Sequence, residues 1–394
     1  VSPRERGCCF AATAAFTYCF VSLYSISPLL QDISAELGLT AVQAGGYTSW
    51  YFAGYILSQI PGGMLADRYR PKWILLGAVL CNGLMAALMA AVPGYGFGLG
   101  TRFFSGLASG SVMGSCSKTI TAVFPGEKRS GALGILLASP PLGILIANLL
   151  GGILRPLIGW RWVLLGISGL SVLTAAAVSF FLNSRDVPRK ELETNRGPGI
   201  AGLRMFLTDY RQVITGIAGA LFMFSVVGFA TWINPYSAAM GLSGNTGRRI
   251  ILAYSLCAVL GASVSGFLFT ALKISHCRAL MIIFPLLSGL SVLFAVQTNS
   301  FLITMVAAVY GFTSYLPSTH FTSLAIIRAG DTYGATAASV QNLFLQSGSL
   351  IMPVVTGLVI DTSGNMSLIW LMFSFLYAAA AVLVRAAEKF SFGR

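Results

Sequence analysis

The sequence predicts an all-α polytopic membrane protein, with twelve transmembrane helices arranged as two pseudo-symmetric six-helix bundles. Three observations predict it. Apolar runs of about 20 residues, the length that crosses a hydrocarbon core, recur from one end of the chain to the other. Only 9% of the 394 residues are charged and 56% are hydrophobic, where soluble domains carry about 25% charged residues. One long polar stretch, Asn183 to Arg211, falls near the middle and is punctuated by Gly197-Pro198-Gly199. Lipid offers backbone amides no partner, so repeated long apolar runs must be helices. The residue-by-residue alternation of a barrel strand is absent.

In chain order the expected spans are 8–30, 41–65, 73–93, 97–123, 130–154 and 161–183, then 212–238, 248–271, 279–297, 301–328, 333–360 and 366–386. This gives an N-terminal bundle over 1–183, a cytoplasmic linker over 184–211, a C-terminal bundle over 212–386 and a tail over 387–394. The first apolar run follows Arg4 and Arg6 but is too long for a signal peptide and lacks a small-residue cleavage site. It reads as a retained first span.

A formal net charge of +13 would suit a nucleic-acid binder, but the basic residues are scattered over short loops with no basic domain. Counted on alternate loops, nineteen lie on one side and four on the other (Arg155, Arg161, Arg248 and Arg249), while Arg102 and Lys118 fall within the fourth span. Basic loops stay in the cytoplasm, so both termini and the linker are expected there, in a bacterial-type cell membrane. Seven cysteines show no CxxC pair and no metal-ligand spacing. No catalytic motif and no phosphate-binding loop is present, so neither an enzyme nor a cofactor or metal site is expected. The expected partners are a small-molecule solute and the lipid bilayer, with no nucleic acid, for a chain acting as a monomer.

Three landmarks repeat at an offset of 203 residues: Gly38-Leu39-Thr40 with Gly241-Leu242-Ser243, Gly63 with Gly266, and Gly131 with Gly334. The common offset points to a duplicated six-helix unit, and solute sites commonly lie between such repeats.

After the second span comes Gly62-Gly63-Met64-Leu65-Ala66-Asp67-Arg68-Tyr69-Arg70-Pro71-Lys72. Small residues there allow close helix approach, and an acid can meet the positive end of a neighbouring helix. This run resembles the loop signature of the major facilitator superfamily, departing from it at Arg70, where that family has glycine. The second copy, Gly266 to Lys273, keeps the glycine but carries Thr270 where the acid would be. The resemblance implies a secondary transporter of two six-helix halves that rock about a central solute. It also implies that Gly63, Asp67, Arg68 and Lys72 form a conformational gate, with Asp67 holding the cytoplasmic ends together near Gly334.

The fourth span carries Arg102 followed by Gly106, Gly110 and Gly114. This resembles the family's span-four pattern, in which the arginine serves the central cavity. At about 100° per residue Arg102, Ser105, Ser109 and Cys116 share one face, and the glycines form an adjacent packing ridge. A charge in the apolar zone is a functional candidate; the alternative is an arginine snorkelling to the outer interface. Lys118 reads as a snorkelling cation at the cytoplasmic end. In the fifth span Pro140 and Pro141 predict a bend, and Gly159-Trp160-Arg161-Trp162 suits an aromatic belt.

By the resemblance spans one, four, seven and ten line the cavity. The candidate solute contacts are therefore Tyr18 and Ser22; Arg102, Ser105 and Ser109; Asn234 and Tyr236; and Tyr310, Ser314 and His320. His320 has two readings, a structural hydrogen bond or a titrating group. All twelve acids map to loops, tails or span ends, so the cavity-lining helices carry cations and no carboxylate. The expectation is a transporter of a small organic anion, by anion exchange or anion–proton symport. The alternatives are a proton-linked drug or metabolite efflux pump and, further off, a channel.

Overall fold

The computed structural model describes residues 2–124, 126–183, 199–242 and 244–389. Most of the expected linker therefore lies outside the described residues. The chain divides into two compact units, Val1–Asn195 and Arg196–Arg394.

In the first unit the helices are α1 (Pro3–Tyr24), α2 (Leu30–Leu37), α3 (Ala41–Arg68), α4 (Pro71–Ala90), α5 (Tyr95–Ser109), α6 (Val112–Val123), α7 (Gly126–Leu137), α8 (Ser139–Ile158) and α9 (Trp160–Phe181). α1 starts on a capping box, in which the Ser2 side chain takes the Glu5 amide and the Glu5 carboxylate takes the Ser2 amide. α3 starts on a second one, Thr40 with Gln43. The expected fourth span is two helices, broken at Gly110 and Ser111. The expected fifth is also two, meeting at Ala138 just before Pro140 and Pro141, which cannot donate to the helical ladder.

In the second unit they are α10 (Gly199–Thr208), α11 (Tyr210–Ala239), α12 (Gly244–Ala271), α13 (His276–Val296), α14 (Ser300–Ser314), α15 (Pro317–Ser363) and α16 (Ser367–Lys389). The expected tenth span is divided between α14 and α15, and α15 carries its later part together with the eleventh span, in continuous register except at Gly330, whose φ of 68° and ψ of −178° break it. α10 falls where the sequence suggested only linker. It is helical because its apolar face has somewhere to go: Phe206 is fully buried with Ala325, Ala337 and Val340 of α15 and stacks on Phe344 at 5.7 Å. The last helix likewise runs to Lys389, beyond the expected boundary.

Among the described residues ten helical stretches are long and apolar enough to cross a membrane. The other two expected spans, Ala41–Arg68 and the run from Tyr95 to Val123, are helical and of crossing length. They are less apolar because Gly, Ser and Tyr replace aliphatic residues where helices pack closely. A Cβ on Gly106 would collide with the Tyr51 carbonyl, and one on Gly54 with the Phe103 carbonyl, so α3 and α5 meet backbone to backbone. Gly110 continues this contact, whereas Gly114, beyond the break, meets nothing and leaves the expected ridge.

The repeat reappears in three dimensions. Gly38 and Gly241, 203 residues apart, end their helices with φ of 62° and 66°. The Gly106–Tyr51 collision has its counterpart in Gly311 against the Tyr254 carbonyl, and Tyr254 lies 203 residues after Tyr51. Gly131 and Gly334 lie inside helices and do not open them.

At the non-basic end of the first unit, α2 is tied down by two bidentate ion pairs. Arg155 donates to Asp32 at 2.5 and 2.6 Å. Arg161 donates to Glu36 at 2.6 Å twice and lies 4.2 Å over the Trp160 ring, whose indole N–H also donates to Glu36. The belt arginine thus serves a carboxylate four residues along the same helix face as the first.

Candidate functional site

Arg102 does not snorkel. It is 4% exposed, and its two terminal amino groups donate to the carbonyls of Ser22 and Leu23 at 2.9 and 2.7 Å. These are carbonyls of the last turn of α1, which lack helical partners and carry the negative end of the helix dipole. The guanidinium also lies 5.0 Å over the Tyr51 ring. Its Nε–H has no partner, and the nearby buried Tyr47 hydroxyl has none either. Among the described residues no carboxylate lies against it.

The face expected to hold Arg102, Ser105, Ser109 and Cys116 is buried throughout. Cys116 donates to the Ala12 carbonyl at 3.2 Å, so Arg102 and Cys116 both turn to α1. Ser109 instead accepts from the Asn82 amide of α4 at 3.0 Å and donates to the Ser105 carbonyl. Tyr18 donates to the Ile167 carbonyl on α9 at 3.0 Å, while Ser22 serves through its backbone. Of the gate residues, Lys72 donates to the Ser179 carbonyl at 2.8 Å, joining the start of α4 to the end of α9. The side chains of Asp67 and Arg68 and the surroundings of Gly63 lie outside the described residues.

In the second unit two expected solute contacts are committed to the interior. The Tyr310 hydroxyl meets that of Tyr377 at 2.8 Å, and its ring stacks on Phe229 at 4.2 Å. Tyr236 packs edge-on against Trp370 at 5.0 Å. With Tyr254 and Phe294 they form one aromatic cluster around Phe229. The resemblance nominated these tyrosines by their spans and their hydroxyls, and both hydroxyls are engaged within the second unit. Asn234 is half-buried, and Ser314 is buried with its hydroxyl on the Gly311 carbonyl. His320, 3% exposed, meets His276 with its Nδ1 2.9 Å from the other Nδ1.

Three participants escaped the sequence reading. Tyr47 and Tyr51 lie beside Arg102; their four-residue spacing, continued by Tyr55, was the available signal. His276 was placed in a loop by a span boundary three residues late, although it is one of only two histidines.

Residues 10–353 match the Major Facilitator Superfamily. This chain belongs to that family. The facilitator is therefore a multi-pass membrane transporter of small molecules and not an enzyme. It is 26% identical to a cis,cis-muconate transport protein of Acinetobacter baylyi over 64% of this chain and 65% of that protein. It is 25% identical to a hexuronate transporter of Bacillus subtilis over 86% and 84%. Its fold matches a bacterial homologue of the human lysosomal transporter Spinster, crystallised inward-facing and occupied. That match has a TM-score of 0.79 and 18% identity over 99% of this chain and 98% of the other.

Proposed function

We propose that this facilitator carries small organic anions by alternating access, as an anion exchanger or an anion–proton symporter, with Arg102 supplying the charge that selects them. One observation carries this reading: among the described residues a buried guanidinium faces no carboxylate and keeps an unpartnered Nε–H beside an unpartnered tyrosine hydroxyl. Carbonyl dipoles neutralise a buried cation only partly, and a charge taken out of water is costly until an ion of opposite sign joins it. Arginine's planar fork suits a carboxylate. The relatives named for muconate and hexuronate transport support the same class of solute. Ser105, Ser109 and Asn234 remain the proposed polar partners, and Gly63, Asp67, Arg68 and Lys72 the proposed gate. The 19-to-4 distribution of basic residues supports a bacterial-type cytoplasmic membrane with both termini inside.

The test is counterflow in proteoliposomes of the purified protein, with labelled cis,cis-muconate, a labelled hexuronate, a neutral sugar and a lipophilic cation. Saturable exchange of the carboxylates, lost in Arg102→Gln, is expected. Undiminished carboxylate exchange in Arg102→Gln, or robust transport of the lipophilic cation, overturns the assignment.

A further inference from the structure

The chain has two histidines, and the fold brings them together although 44 residues separate them. His276 is the first residue of α13, capped by Ser275, whose side chain takes the Arg278 amide. It is half-buried at the end of its helix. His320 stands one turn into α15, buried, with the edge of Phe269 from α12 at 4.8 Å. The two Nδ1 atoms are 2.9 Å apart, a hydrogen-bond distance that requires a single proton on the shared edge. One ring must donate from Nδ1 and the other must accept there. The neutral pair therefore holds two protons, one on the shared edge and one on the accepting ring's Nε2. The buried Nε2 of His320 has no partner.

We propose that His276 and His320 form a single proton-binding site, and that the proton it binds is the coupling ion of the transport cycle. The coupling half of this inference rests on the anion–proton reading above. The proton chemistry follows from the geometry. A first added proton goes to the bare Nε2 of the donating ring and leaves the Nδ1 contact intact. A second must go to the accepting Nδ1, which sets two N–H groups head to head and breaks the contact between the start of α13 and α15. The pair thus takes up one proton silently and converts the next into a separation of two helices. The half-buried ring meets solvent first, and the buried ring carries the proton inward.

The charges at this end of the unit bear on both steps. Lys273 precedes α13 and Arg278 lies on it, while Arg328 of α15 donates to the Arg211 carbonyl and reaches the Cys277 thiol at 3.9 Å. Arg328 of α15 and Glu388 of α16 both act electrostatically on Cys277, the residue after His276, the cation opposing a second proton and the carboxylate favouring it. Arg385 lies on α16 as well. The twelve acids map to loops, tails or span ends in the sequence, away from the middle of any span.

The test uses the full chain, purified without a histidine tag and labelled with ¹⁵N-histidine in lipid nanodiscs, where the imidazole spectrum has two residues only. Coupled titration is expected, with two midpoints separated by more than about one pH unit. Either His276→Gln or His320→Gln should shift the midpoint of the ring that remains. Two rings titrating independently, indifferent to each other's replacement, overturn the site. In proteoliposomes loaded with a pH dye, cis,cis-muconate addition to wild type should drive proton entry. A pH gradient should drive its accumulation. In His276→Gln both should be lost while muconate counterflow, which needs no net proton movement, persists and reports an intact fold. Gradient-driven accumulation surviving in His276→Gln overturns the coupling role. If wild type moves neither muconate nor a hexuronate, the anion reading fails, and the proton site is decided by the titration.

Discussion

Replacing Arg102 with methionine separates a structural arginine from a functional one. The substitution removes the fork that now reaches the Ser22 and Leu23 carbonyls at 2.9 and 2.7 Å. The Ser22 carbonyl keeps the Ser25 hydroxyl at 2.8 Å, so the Leu23 carbonyl is the acceptor left bare, at a cost of about 1–3 kcal/mol. Against this, an apolar side chain of similar length no longer has to be stripped of water as a cation, a penalty of several kcal/mol per buried ion. The stacking over Tyr51 is worth about 1–2 kcal/mol and is partly kept by the methionine sulfur. These opposing contributions nearly cancel, and Arg102→Met should shift stability by no more than about 2 kcal/mol in either direction. Arg102→Lys keeps the buried charge but replaces the fork with a single ammonium. It should lose one carbonyl bond, about 1.5–3 kcal/mol, and be the less stable variant. Thermal unfolding in detergent, followed by maleimide labelling of the buried cysteines Cys8, Cys19 and Cys116, reads both. Carboxylate counterflow per folded molecule should vanish in Arg102→Met. A methionine variant that fails to fold, or one that folds and still exchanges carboxylates, refutes the reasoning.

Three further outcomes are expected. Gly106→Val should prevent folding, because its branched side chain would be driven into the Tyr51 carbonyl, whereas Gly114→Ala should be silent; expression and size-exclusion profiles check both. A double-mutant cycle on Asp32→Asn and Arg155→Gln should give a coupling of about 1 kcal/mol, since the pair is bidentate yet about one-third exposed, and it should weaken in high salt. Tyr310→Phe removes the hydroxyl that meets Tyr377 and should cost about 1 kcal/mol in thermal stability without altering the selectivity of transport.

The helical architecture was legible because lipid leaves the backbone no alternative to continuous helices, so apolar length maps onto spans. The breaks were less legible. Pro140 and Pro141 announce theirs, and Gly330 falls in the gap expected between spans 301–328 and 333–360, while Gly110–Ser111 interrupts a run read as one span. α10 was read as linker because Gly197-Pro198-Gly199 precedes it and its partners on α15 lie more than 110 residues away. Arg102 declared itself as a charge inside a span, but its partners could not: backbone carbonyls carry no signature in sequence. Tyr236 and Tyr310 show the reverse case. Their hydroxyls marked polar capacity, while the aromatic cluster in which their rings pack had no signature in the sequence.

That interior makes the two repeats chemically unequal. Tyr51 and Gly106 of the first unit correspond to Tyr254 and Gly311 of the second, and the same helix–helix contact joins each pair. Gly311 lies 205 residues after Gly106, and the same step from Arg102 reaches Ala307, a fully buried methyl. Where the first unit sets a guanidinium over Tyr51, the second sets Phe229 against Tyr254 at 4.6 Å and Tyr310 at 4.2 Å. An aromatic stack of this kind is rigid and needs no counter-ion, while a buried arginine is held by dipoles and left short of one. On the anion reading, the sign of the solute is therefore set by the first unit alone. The second contributes a stiff body and, through His276 and His320, the titratable groups that the first unit lacks. Duplication supplied the scaffold twice, and the charge and the proton site each arose on one copy.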